Sequence, residues 1–96
     1  MPSDDVLREL HHQMVRIRVF EEAIQAAYME GKTPAFDIAA GPVPGEMHLA
    51  AGQEPVAAGV CAHLRRSDAI TATHRPHHVA LAHGMDMKSM AAELFG

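Results

Sequence analysis

Arg75 with His74 on one side and Pro76-His77-His78 on the other is the part of this chain best suited to chemistry. Pro76 disfavours a helical conformation at Arg75 and can itself begin a helix. A phosphate at that junction would meet the backbone N–H groups of the helix start, the Arg75 guanidinium and the His74 imidazole N–H. His77, just beyond, would face whatever a phosphate-bearing ligand presents to a substrate. Taken bare, the same spacing fits solvated histidines at a helix start.

The other reactive residue types invite weaker proposals. Histidines 74, 77, 78 and 83 raise the question of zinc, but Arg75 sits among them, no Cys or acidic ligand is near in sequence, and the spacing matches no familiar zinc site. Met85, Met87 and Met90 surround a helix start and are expected to pack rather than ligate. His11 and His12 fall outside the apolar stripe of their helix and are expected in solvent. Gln53 and Glu54 would serve catalysis or simply cap and orient the helix that follows. Cys61, the one cysteine, has no disulfide partner in the chain and reads as a small buried hydrophobe.

These residues need elements to position them. Ser3 caps a helix whose first turn holds Asp4 and Asp5. Apolar residues then recur at Leu7, Leu10, Met14, Ile17, Phe20, Ile24 and Ala27, with Asp4–Arg8 and Arg18–Glu22 pairs on the wet side and Gly31 as the stop. The spacing predicts a helix over residues 4–30. From Lys32 to Gly52 periodicity disappears among prolines and glycines, in a loop long enough to suggest a task. A second helix is expected from about Glu54, with Pro55 in its first turn, one face of Val56, Ala57, Val60, Cys61 and Leu64, Arg65-Arg66 near its end, and close packing at Gly59. Residues 68–73 fit one buried strand. Helices are expected again over residues 76–83 and, capped by Asp86, over 87–95.

The element order opens an α/β domain, mostly helical within these residues, and a single strand has no sheet. Leaving such a strand's backbone groups buried and unpaired would cost ~1 to 3 kcal/mol each. Composition narrows the partners: a net charge of −4, with no basic cluster beyond Arg65-Arg66, argues against a nucleic-acid surface. No stretch approaches the ~18 apolar residues of a membrane span, and the acidic start is unlike a signal peptide, so a cytoplasmic location is the expectation.

Three ordered motifs carry a resemblance. Gly45-Glu46-Met47-His48-Leu49 with Gly52-Gln53-Glu54, then Ile70-Thr71-Ala72-Thr73-His74-Arg75-Pro76-His77, then Ala92-Glu93-Leu94-Phe95-Gly96 resemble the α subunits of thiamine-diphosphate-dependent dehydrogenases, which act on pyruvate, branched-chain 2-oxo acids or acetoin. Residues 14–21 are similar to that family's first helix. The resemblance spans nearly the whole chain, as the amino-terminal segment of such a subunit and of its thiamine-diphosphate-binding fold.

It implies that Arg75 and His74 bind the cofactor diphosphate, that His77 stands beside the reactive thiazolium, and that His48 lines the same channel. Thr73-His74-Arg75 is of the acetoin type, where pyruvate dehydrogenases commonly have Tyr at the position of His74. Glu46 departs from the aromatic often found there, and Pro76 replaces a small residue. The family's Gly-Asp-Gly motif and downstream Asn for Mg2+ are nowhere in these residues, and the resemblance puts the glutamate that activates the aminopyrimidine on a β subunit. The implied function is part of an oxidoreductase that cleaves a 2-oxo acid or acetoin and passes the acyl group to a lipoyl carrier, with a β subunit and a lipoyl acyltransferase as partners. The 96-residue polypeptide alone is expected to be inactive. The competing expectation is a truncated, non-catalytic module that binds a dehydrogenase subunit, and the sequence leaves open both the substrate and whether the end at Gly96 is natural.

Overall fold

The computed structural model describes residues 1–96, in four helices: α1 (Asp4–Met29), α2 (Glu54–Cys61), α3 (His77–Ala82) and α4 (Met87–Phe95). α1 starts where the sequence indicates: the Ser3 hydroxyl accepts the Val6 N–H at 3.3 Å and Asp4 and Asp5 face the positive end of the helix dipole. Its buried face is Ile17, Phe20, Glu21 and Ile24. The apolar stripe expected to begin at Leu7 is shorter than the helix: Leu7 is exposed, Leu10 and Met14 are half-buried, and full burial starts only at Ile17. A helix of 26 residues is about 39 Å long, which accounts for most of the 49 Å long axis of a molecule 25 by 20 Å across. Arg8 pairs with Asp5 at 3.0 Å rather than with Asp4, and Arg18 lies 4.0 Å from Glu22.

α2 ends four residues before Arg65-Arg66, so those cations do not cap it; the chain turns at Ala62 and His63, and the Asp68 carboxylate accepts the Arg65 N–H at 2.7 Å. The inward face of α2 is also narrower than expected. Ala57 and Ala58 are buried, whereas Val56 and Val60 point outward, 63% and 56% exposed. Gly59 has no neighbour within 4 Å of where a side chain would begin, so the close packing expected there does not occur within this chain. Cys61 is half-buried, its Sγ 3.8 Å from the Val79 carbonyl, and desolvation pushes the thiol's pKa up, which disfavours the reactive thiolate.

α3 and α4 lie where the sequence puts them, the latter capped by the Asp86 carboxylate accepting the Ser89 N–H at 3.0 Å. Between α2 and α3 no strand forms. The backbone of residues 69–73 makes no hydrogen bond and all five residues are exposed. The cause is pairing: a strand needs a neighbouring strand for its N–H and C=O groups, and nothing else in the chain offers an edge. No helix is long and apolar enough to cross a membrane.

α1 packs on α2 and α3, and α2 on α3, around a thin core of Ile17, Phe20, Ile24, Ala57, Leu81 and Met90. The long connection from α1 to α2 is held by Lys32, which is wholly buried. Its ammonium donates to the Ala40 and Val43 carbonyls at 2.6 and 2.7 Å and lies 4.1 Å from the centre of the Tyr28 ring. The Tyr28 hydroxyl in turn donates to the Gly45 carbonyl at 2.8 Å. At Gly41, where φ is +84°, a side chain would begin 2.0 Å from the Glu30 carbonyl oxygen. The expected task of this connection is thus structural in its first half: it delivers residues 48–50 to the start of α3.

Candidate active site

The site begins with a carboxylate inside the core. Glu21 follows Phe20 on the buried face of α1 and has no exposed surface. A buried charge without partners costs several kcal/mol, and here both oxygens are engaged. Oε1 is hydrogen-bonded with His77 Nδ1 at 2.7 Å and Oε2 accepts from the Ala50 N–H at 3.1 Å. One side chain therefore joins α1, the loop before α2 and the first residue of α3. The Phe20 and His77 rings meet edge to face with centroids 6.3 Å apart, which restrains the imidazole plane.

Segment 48–50 runs beside segment 74–77 through successive contacts. His48 and His74 meet ring to ring, 4.8 Å between centroids and nearly perpendicular. Arg75 Nη1 donates to the Leu49 carbonyl, and Ala50 connects through Glu21 to His77. The Arg75 N–H donates to Thr73 Oγ1 at 3.2 Å, which fixes the approach to α3. Arg75 is half-buried and is paired with no carboxylate; His74 is exposed, and His48 is exposed with Nε2 3.7 Å from Glu46. A cation lacking an acidic partner, with imidazole N–H groups beside it, suits an anionic ligand. No three His, Cys, Asp or Glu side chains are grouped to hold a metal ion.

All four residues singled out from the sequence, His48, His74, Arg75 and His77, converge here. One neighbour, Glu21, was missed. Glu21 sits between the apolar positions 20 and 24, and a carboxylate on the inward side of a helical stripe was the signal available in the sequence. Glu54, expected to serve catalysis or to cap and orient α2, orients it: its side chain is 4% exposed and accepts from Arg18 Nε on α1, while Gln53 makes no side-chain cap bond. His78 is buried with Nδ1 unpartnered.

Two shifted groups give this junction a pH dependence. The Arg18 bond holds the Glu54 carboxyl below its ordinary 4.5 against the opposing effect of burial. Burial pulls His78 below its ordinary 6.5, with Glu21 and Glu54 opposing and His77 adding to it. Both groups are depressed, so each contributes stability that is full above its unfolded pKa and lost as pH falls towards its folded one. Helicity on acidification is expected to weaken first below about pH 6.5 as His78 is charged, then again below about 4.5 as Glu54 is protonated. Glu54→Gln should abolish the second step and, by removing a charge that opposes the His78 shift, deepen the first; a titration flat from pH 7 to 5 would contradict the part assigned to His78.

A model of the dehydrogenase E1 component matches residues 12–96. The chain belongs to that family. The resemblance carried by segments 45–54, 70–77 and 92–96 is thereby confirmed, and the family is that of the E1 α subunits of thiamine-diphosphate-dependent dehydrogenases. Among E1 relatives, the α subunit of acetoin:2,6-dichlorophenolindophenol oxidoreductase from Bacillus subtilis is 42% identical over 87 residues, 91% of this chain and 23% of that one. Its counterpart from Cupriavidus necator is 34% identical over 97 residues, all of this chain and 26% of that one. The chloroplastic pyruvate dehydrogenase E1 component subunit alpha-3 of Oryza sativa is 36% identical over 88 residues, 92% of this chain and 18% of the relative. The chain thus spans about a quarter or less of the E1 subunits it matches. No solved structure matches.

Proposed function

We propose that this chain supplies one wall of the thiamine diphosphate site in an E1-type dehydrogenase acting on acetoin or a 2-oxo acid. The observation that carries this is the alignment of segment 48–50 with 74–77, which brings an acid-free guanidinium, two exposed imidazoles and a buried, oriented third one together at the start of α3. Arg75 and His74 would hold the cofactor diphosphate, with Mg2+ ligands supplied from outside these residues. His77 and His48 would face the reacting carbon. Bound thiamine diphosphate supplies a nucleophilic carbon and an electron sink for cleavage beside a carbonyl. The chain's residues orient the cofactor, balance its charge and hold a proton acceptor or donor near the substrate. A β subunit would complete the site, and a lipoyl acyltransferase would present the disulfide that takes the acyl group.

The free backbone of residues 69–73 supports the same proposal from the side of the fold. In a complete α/β domain, residues 68–73 would become a strand beside others. Hydrogen exchange should then slow at Ile70 and Ala72 in the assembled enzyme.

The deciding experiment is coexpression with a β-type subunit and assay with acetoin and with pyruvate, using 2,6-dichlorophenolindophenol as electron acceptor. Turnover should require thiamine diphosphate, Mg2+ and the partner, and the 96-residue polypeptide alone should give none. Preference for acetoin would fix the substrate class. A stable assembly that binds no thiamine diphosphate would overturn the proposal in favour of a non-catalytic module.

A further inference from the structure

We infer that Glu21 is a positioning residue that determines which ring nitrogen of His77 carries the proton, and so which nitrogen is offered to the reacting groups. The inference rests on the placing of His77 beside the substrate proposed above. An ionised carboxylate accepts and never donates. With Glu21 buried and its Oε1 2.7 Å from His77 Nδ1, the bond requires a proton on Nδ1. In the neutral imidazole Nε2 is then a bare acceptor, and it makes no bond within the chain. The Phe20 ring packs edge to face on the imidazole, and the Ala50 N–H holds the other carboxylate oxygen, which favours this one pairing of Glu21 with His77.

A histidine so held can take a proton at Nε2 from a reacting hydroxyl and later return it. The imidazolium formed keeps its Nδ1 proton, and Glu21 balances its charge. The opposite tautomer would present an N–H at the same place and could accept nothing. The second bond on Glu21 makes this choice testable. In Glu21→Gln the side-chain carbonyl must stay on the Ala50 N–H, whose burial leaves it no other acceptor. The amide NH2 is then turned towards His77 and needs Nδ1 as an acceptor, which moves the ring proton to Nε2. Glu21→Asp retains a carboxylate, one methylene shorter.

The measurement is 15N magnetic resonance of ring-labelled histidine in the assembled enzyme, paired with kcat and KM. The wild type should show a protonated Nδ1 on His77. Glu21→Gln should show a protonated Nε2 and lose ~10²- to 10⁴-fold in kcat, the range of general acid–base catalysis, with KM nearly unchanged. Glu21→Asp should recover both the tautomer and much of kcat. An unchanged tautomer in Glu21→Gln, or a wild-type tautomer with the proton on Nε2, overturns the inference. If Glu21→Gln fails to assemble, a Glu21→Asp enzyme whose ring proton has moved to Nε2 overturns it too. A flipped tautomer in Glu21→Gln together with wild-type kcat in His77→Ala would uphold the control of the ring by Glu21 and overturn the catalytic place given to His77.

Discussion

Lys32→Met is expected to be among the most damaging single substitutions in the chain, lowering stability by ~2 to 6 kcal/mol. Met matches the length of Lys but donates nothing, so the carbonyls of Ala40 and Val43 would both lose their donor, at ~1 to 3 kcal/mol each. The packing of the ammonium against Tyr28 would go as well. For a domain of this size, total stability is about 5 to 14 kcal/mol, so urea unfolding followed by helicity should show a large drop in midpoint. The loss would also reach the site. Once the first half of the loop is free, His48, Leu49 and Ala50 are left to their own contacts with Glu21, Arg75 and His74 for their register against residues 74–77. An unchanged midpoint would show that water satisfies those carbonyls and that Lys32 is not the anchor.

The second large effect is expected at Arg75. In an assembled enzyme, Arg75→Ala should weaken thiamine diphosphate binding ~10- to 100-fold, since a hydrogen bond to a charged group contributes ~1.5 to 3 kcal/mol. Arg75→Lys should lie between, keeping the charge but losing the planar fork that reaches phosphate and the Leu49 carbonyl together. His74→Ala should cost less, because that imidazole is exposed and offers one N–H. Calorimetric titration of the cofactor checks all three. Equal affinities for wild type and Arg75→Ala would remove Arg75 from the diphosphate site.

The parts of this structure legible in the sequence are those with local causes. The start of α1 and the whole of α4 follow from Ser3 and Asp86, side chains that satisfy N–H groups within three residues of themselves. That His48, His74, Arg75 and His77 belong to one neighbourhood was legible through motif order. Features that depend on distant partners were not. Lys32 carried no signal of its role, because lysine is almost never fully buried, and its acceptors lie 8 and 11 positions away in a segment without periodicity. The end of α2 was misplaced because a good helical composition runs on to Arg66, whereas Asp68 draws the Arg65 N–H into a turn. Residues 68–73 have the composition of a strand and no partner for one. Glu21 was hidden by its type, a charged residue on the wrong side of an apolar stripe, whose reason for being there lies 29 and 56 positions ahead.

Those separations govern when the site comes into being. The carboxylate that holds His77 lies near the beginning of the chain and the imidazole near its end, so the loop to be closed includes most of the molecule. The entropy of closing a loop grows with its length and is offset only when the contacts at its ends form. During synthesis α1 has been made long before His77 follows, and until then Glu21 has no imidazole to hold. The proton position on one ring is therefore a late reporter of folding: a chain that has formed its helices without docking them would show that ring free to exchange tautomers.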